Sequence, residues 1–93
     1  MSAPVIEHDA AASAFVARVE GGLAECAYRL QGDVMNLVHT EVPPASEGRG
    51  IAAALVQAAL AYARAQGLRV RPSCSYVRSY MRRHPDTLDL LEH

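Results

Sequence analysis

The 93-residue sequence predicts a single α+β domain on three observations. Before residue 43, three segments alternate apolar and polar residues and are joined by turns too short for a crossover. After Gly50, apolar positions recur at helical spacing through an alanine-rich stretch. After Gly67, a short run bounded by glycine and proline reads as one more strand, which a right-handed crossover makes parallel to the third. A chain of this length holds one domain and no more.

The elements follow in order. Residues 1–13 are a polar, small-residue lead in which Val5 and Ile6 suit a short strand. Phe15, Ala17 and Val19 alternate with Ala14, Val16 and Arg18, the pattern of a first strand. Glu20-Gly21-Gly22 supplies a turn in which glycine tolerates positive φ. Ala24, Cys26, Tyr28 and Leu30 form the apolar face of a second strand, and Gln31-Gly32-Asp33 is the next turn. Val34 to Val42 is a third strand, ended by Pro43-Pro44 because neither proline has an N–H to donate. Ile51 to Gln66 contains eight alanines, with Ile51, Leu55, Ala58, Ala59 and Tyr62 on one helical face, and Gly67 is its stop. Leu68 to Arg71 is the fourth strand. A shorter helix runs from about Ser75 to Arg83, with Pro85 beyond it. The predicted order is an antiparallel meander of three strands, a helix, a parallel fourth strand and a short C-terminal helix.

Composition narrows the class. Apolar residues make up 51% of the chain and charged residues 20%, enough for a core and against disorder. No stretch is long enough to span a bilayer, and Glu7 and Asp9 stand where a signal peptide would be basic and then apolar. The expectation is a cytoplasmic protein without a membrane partner. Cys26 and Cys74, 48 residues apart, are too few for a disulfide framework and lack the paired spacing of zinc ligands, so no metal is expected. Leu91-Glu92-His93 resembles the start of an expression tag, so the domain is taken as residues 1–90 and no chemistry is assigned beyond it.

The net charge of −1 hides a partition: −5 over residues 1–47, +7 over residues 48–85, and −3 over residues 86–93. The basic segment holds seven arginines and no acid, and repels itself unless an anion answers it. The acidic half of the same chain, a phosphate-bearing ligand or a nucleic acid are the three candidates. Nucleic acid is the weakest, because only Tyr76 and Tyr80 interleave with the arginines and the sequence pI is 6.4.

The sharpest motif is Val42-Pro43-Pro44-Ala45-Ser46-Glu47-Gly48-Arg49-Gly50-Ile51-Ala52, where a strand ends, a two-glycine loop follows and a helix begins. Unpaired N–H groups and the positive dipole end at a helix start attract an anion. A plain turn into a helix is the alternative. The dinucleotide pattern Gly-x-Gly-x-x-Ala also fits, but the acid needed about 20 residues on is absent. No Walker loop occurs.

Four motifs in order, His39-Thr40-Glu41-Val42-Pro43, Gly48-Arg49-Gly50-Ile51-Ala52, Cys74-Ser75-Tyr76-Val77 and His84-Pro85, resemble very small single-domain members of the GNAT superfamily of N-acetyltransferases, over roughly residues 14–88. The resemblance implies a GNAT-like core, acetyl-CoA as co-substrate and a primary amine as acceptor. It implies that N–H groups of Gly48, Arg49, Gly50, Ile51 and Ala52 bind the pyrophosphate, and that Val42 pairs with the pantetheine arm where two strands splay. Tyr80 falls one residue before the place where such proteins usually carry a tyrosine acid, which Met81 takes. Cys74 stands where an asparagine is usual, and Ala45 where glutamine or arginine is usual. The helices that usually shape the acceptor pocket are missing, which favours a large or exposed amine.

Cys74 is the candidate nucleophile: it ends a strand, precedes a helix, and has Arg71 and Arg78 near in sequence, all of which favour thiolate. A buried small hydrophobe is its alternative, and is the reading of Cys26. His39 and Glu41, two apart on one strand face, are candidate bases for the incoming ammonium, or a polar cross-strand pair. Thr40, facing the other way, reads as packing. Arg83 and His84 either contact the CoA 3′-phosphate or, for His84-Pro85, cap the last helix. The competing functions are a nucleic-acid module and a CoA-binding protein without turnover.

Overall fold

The computed structural model describes residues 4–92; residues 1–3 and His93 lie outside it. Five strands form one sheet in sequence order: β1 (Glu7–Asp9), β2 (Ala14–Val19), β3 (Gly22–Gln31), β4 (Val34–Glu41) and β5 (Arg69–Pro72). The first four are antiparallel neighbours, and β5 runs parallel to β4 after the crossover helix α1 (Ile51–Gln66). The second helix, α2 (Ser75–Arg83), follows β5, and short 3-10 turns occupy Pro44–Ser46 and Pro85–Leu90.

The core lies between one sheet face and the helices. Phe15, Ala17, Ala24, Cys26, Tyr28, Met35, Leu37 and Val70 are buried there, and α1 lays Ile51, Leu55, Val56, Ala59, Leu60 and Ala63 on them. Alanine at the contact positions lets the helix approach the sheet closely. Gly67, at φ 69°, ends α1 in the left-handed conformation and returns its N–H to Ala63 and Arg64. Leu55, on the inward face of this helix, is fully buried. Leu55→Ala should cost about 3 kcal/mol, read as a fall in the denaturant midpoint.

The last strand is shifted by one residue from its expected bounds, Arg69–Pro72 rather than Leu68–Arg71, and three further features differ from the sequence expectation. The N-terminal strand is Glu7–Asp9, not Val5-Ile6, and its residues are all exposed. It forms because His8 stacks on Phe15 at 4.3 Å, meets the Tyr62 ring edge-on and hydrogen-bonds the Tyr28 hydroxyl, none of which alternation reveals. Second, β4 stops at Glu41, and Val42 belongs to the loop. Third, a bulge interrupts β4. Tyr28 pairs with Leu37 and Ala27 with His39, leaving Val38 unpaired. The extra residue turns Thr40 onto the helix-covered face opposite Cys26, and His39 and Glu41 onto the other face. Without it, His39 and Glu41 would follow Met35 and Leu37 into the core.

The arginine-rich segment is answered mainly from the C-terminus rather than from the acidic half. Arg64 grips Asp89 through two nitrogens (2.9 and 3.0 Å), and Arg71 grips Glu92 likewise (2.7 Å each). Among the described residues, the one ion pair from this segment to the acidic half is Arg49 to Glu20 in the β2–β3 turn at 3.2 Å, and Arg71 also donates to the Gln31 side chain at 3.1 Å. Leu91 and Glu92, set aside on sequence grounds, are built into this arrangement: Leu91 bridges to Val70, and the Glu92 N–H donates to the Val70 carbonyl at 2.9 Å.

Candidate functional site

The site begins where β4 and β5 part. They pair over four positions, from Val34 opposite Arg69 to Leu37 opposite Pro72. Proline then removes a donor, and the chain turns through Ser73 into α2. The last link is the Cys74 N–H to the Leu37 carbonyl at 2.9 Å. Past it, β4 continues to Glu41 with no β5 partner. That stretch of edge offers backbone N–H and C=O groups to an extended ligand.

Cys74 is the N-cap of α2, half-buried in this notch. Its thiol donates to the Thr40 hydroxyl at 3.6 Å, and that hydroxyl donates to the Cys26 sulphur at 3.8 Å. Burial by itself would raise the Cys74 thiol. The Thr40 hydroxyl and the backbone N–H groups of Val77, Tyr76 and Thr40 outweigh it and hold the thiol below its ordinary value. Cys26 is fully buried, and burial pushes its thiol up to about 11. The arginines expected to activate Cys74 do not: Arg71 is held by Glu92, and Arg78 donates to the Pro72 and Ser73 carbonyls at 3.0 and 2.8 Å. The helix start and Thr40 do that work.

Next to the notch is a cleft of about 240 Å³ lined by Val42, Ser46, Gly48, Gly50, Ile51 and Tyr76, among others. Gly50, at φ 77°, is the N-cap of α1, and no side chain caps the helix. The first intrahelical bond runs from the Ala54 N–H to the Gly50 carbonyl, so Ile51, Ala52 and Ala53 present their N–H groups at the end of the helix. No acid stands in the first turn. The loop is pinned by Ser46, 1% exposed, whose hydroxyl donates to the Glu20 carbonyl at 2.7 Å. The β2–β3 turn can lie this close because Gly21 has no Cβ; one there would sit 3.1 Å from the Ala45 Cβ and 3.2 Å from the Pro43 Cβ. An uncapped helix start, a glycine-flanked approach and a neighbouring free strand edge fit a pyrophosphate joined to an extended arm.

A protein-family model described as GCN5-related N-acetyl-transferase matches residues 14–90. The chain belongs to the GCN5-related N-acetyltransferase family. Among its relatives, Protein NATD1 of human is 36% identical over 83 residues, covering 86% of this chain and 74% of the human one. The chicken protein of that name is equally identical over the same length, covering 76% of its own chain. The solution structure of a GCN5-like protein from Staphylococcus aureus superposes with a TM-score of 0.70 at 26% identity, covering all of this chain and 95% of that one. The mixed five-stranded sheet with its parallel β4–β5 pair is therefore the GNAT fold.

Within this GNAT frame, the structure gathers only part of the expected site. Gly48, Gly50, Ile51 and Ala52 line one cleft with Val42. Arg49 turns from it to Glu20, and lines the neighbouring surface with Val19 and Ser46. His39 and Glu41 are exposed and ion-paired at 3.3 Å on the face opposite Thr40. Tyr80 and His84 lie elsewhere, in a second cleft of about 210 Å³ with Gln57, Ala61 and Arg64. Tyr80 is buried beneath the His84 ring at 4.0 Å, and the Tyr80 carbonyl pairs with His84 Nδ1 at 2.8 Å, so His84 finishes its own helix. Burial raises the Tyr80 hydroxyl, with the Asp86 and Tyr76 charges adding to it. Arg83 is exposed beside them. Thr40, Ser46 and Tyr76 join the site without having been assigned to it. The four-motif pattern contains Thr40 and Tyr76, and the period of two already set Thr40 on the face opposite His39 and Glu41, but nothing in the residues alone placed it against Cys74.

Proposed function

We propose that the protein is an acetyl-CoA-dependent N-acetyltransferase acting on a primary amine carried by an exposed, large acceptor. The observation that carries this reading is the Cys74 notch at the β4–β5 splay, adjoining the uncapped start of α1. The N–H groups of Ile51, Ala52 and Ala53 receive the pyrophosphate, and the free β4 edge up to Val42 receives the pantetheine arm. The Cys74 thiolate, favoured by the N–H groups and hydroxyl around it, attacks the thioester carbonyl carbon, and CoA leaves as thiolate. The His39–Glu41 pair takes a proton from the incoming ammonium. The free amine attacks the acetyl carbon on Cys74, the C–S bond breaks, the nitrogen gives up its second proton to solvent as the amide forms, and the thiolate returns to its donors. Cys74 and the His39–Glu41 pair stand on opposite faces of β4, so acetyl and amine approach from opposite sides of the splay. The acceptor side is open because β1 and β2 are joined by a tight turn at residues 10–13 rather than by helices.

Binding tests the first half of this reading. CoA should bind about tenfold or more tightly than pantetheine, and its affinity should weaken as salt rises, because phosphate contacts are screened. Equal affinities by calorimetry would mean that no group receives the phosphates. Release of free CoA thiol with a panel of amines tests turnover, and binding without release would leave a CoA-binding protein.

A further inference from the structure

We infer that Thr40 is a positioning residue for Cys74, the pivot of a hydrogen-bonded chain Cys26–Thr40–Cys74 that reverses direction when Cys74 loses its proton. The inference rests on the reading of Cys74 as nucleophile, and concerns what prepares that sulphur rather than what it attacks. In the protonated state the chain runs outward to inward: Cys74 S–H to Thr40 Oγ1 at 3.6 Å, then Thr40 O–H to Cys26 Sγ at 3.8 Å. A hydroxyl and a thiol turn about single bonds, so each can swap donor for acceptor without moving a heavy atom.

When the half-buried Cys74 gives its proton to solvent, its sulphur can only accept. The Thr40 hydroxyl then points at it, and the Thr40 oxygen takes its own donor from the Cys26 thiol. Cys26 suits that part. It is fully enclosed, and burial keeps it protonated at neutral pH, so it can always donate. The bulge at Val38 makes the chain possible, because it brings Thr40 onto the same face as Cys26, its direct partner on β3. Other groups near the thiol face elsewhere. Glu25, His39 and Glu41 share the opposite sheet face, Arg71 is bound to Glu92, and Arg78 to the Pro72 and Ser73 carbonyls. Tyr76 contributes its backbone N–H. Among the described residues, Thr40 is the side chain hydrogen-bonded to the Cys74 sulphur, and its hydroxyl can change from acceptor to donor.

Iodoacetamide labelling of Cys74 against pH, followed by peptide mass spectrometry, reads the thiol directly. In Thr40→Val, which keeps the shape and removes the hydroxyl, the labelling midpoint should rise and the rate at pH 7 fall about tenfold, the weight of one hydrogen bond to a charged group. Thr40→Ser should restore most of the loss, which a packing role would not predict. Cys26→Ala, which leaves the hydroxyl but removes its donor, should give a smaller shift in the same direction. A Thr40→Val profile that superposes on the unaltered protein, with circular dichroism unchanged, overturns the inference. If Thr40→Val does not fold, an unshifted Cys26→Ala profile overturns it instead. Absence of acetyl on Cys74 after exposure to acetyl-CoA would overturn the nucleophile reading alone, since labelling needs no turnover.

Discussion

Cys74→Ala should bind CoA as the unaltered protein does and lose about a hundredfold or more of its acetyl transfer. Alanine leaves the α1 start, the glycine loop and the β4 edge in place, so binding and transfer separate. Acetyl-CoA alone should leave one acetyl group on the Cys74 thiol, visible as a mass increment that alanine abolishes. The pH dependence follows from the direction of the thiol shift. A thiol held below its ordinary value is more fully thiolate at neutral pH, so the first step should reach its plateau at lower pH than the ~8.5 of a free cysteine. Cys26, enclosed and shifted the other way to about 11, should stay unlabelled throughout. Near-normal transfer by Cys74→Ala would exclude the thioester intermediate, and direct attack by an amine deprotonated at Glu41 or His39 would take its place.

Gly50→Val should weaken CoA binding about a hundredfold while leaving a folded protein, measured by calorimetry and circular dichroism. The structure separates two consequences of this change. A Cβ at Gly50 would touch nothing within 4 Å, so the substitution creates no internal clash, and the added atoms project where a ligand would approach. The residue's φ of 77° is strained for any β-branched side chain, at about 1–3 kcal/mol, which appears as a lowered melting temperature. Gly48→Ala, at φ 79° and equally open, carries the strain with the smallest possible side chain. Weakened binding in Gly50→Val beyond that of Gly48→Ala reports steric exclusion of the phosphates. Unchanged affinity in Gly50→Val would remove the start of α1 as the anion site.

Much of this site was legible in the residues because it depends on local chain geometry. Pro43-Pro44 and the two glycines dictate that a strand ends and a helix begins. Ile51 to Gln66 form α1 at the predicted bounds because alanine spacing and Gly67 are local signals. The four ordered motifs carry the likeness to the GNAT family in local sequence, without any tertiary contact. Other expectations failed where partners come from far along the chain. Arg71 and Arg78 lie near Cys74 in sequence, yet Glu92 and two carbonyls hold them. Tyr80 stands one helical turn beyond Tyr76, yet it turns under His84 into a separate cleft.

By itself, the sequence determined the order of strands and helices, the parallel crossover, the glycine-flanked helix start and the family, because turn chemistry, periodicity and motif spacing are written in neighbouring residues. Only the tertiary structure decided which side chains meet. A single unpaired residue, Val38, reverses the faces of Thr40 and His39, and so places a hydroxyl between two cysteines 48 residues apart. The physical reason is the period of two along a strand: one extra residue exchanges every later side chain between core and solvent. The chain's β-branched and apolar pattern through this region does not show where that residue falls. Register against β3 does.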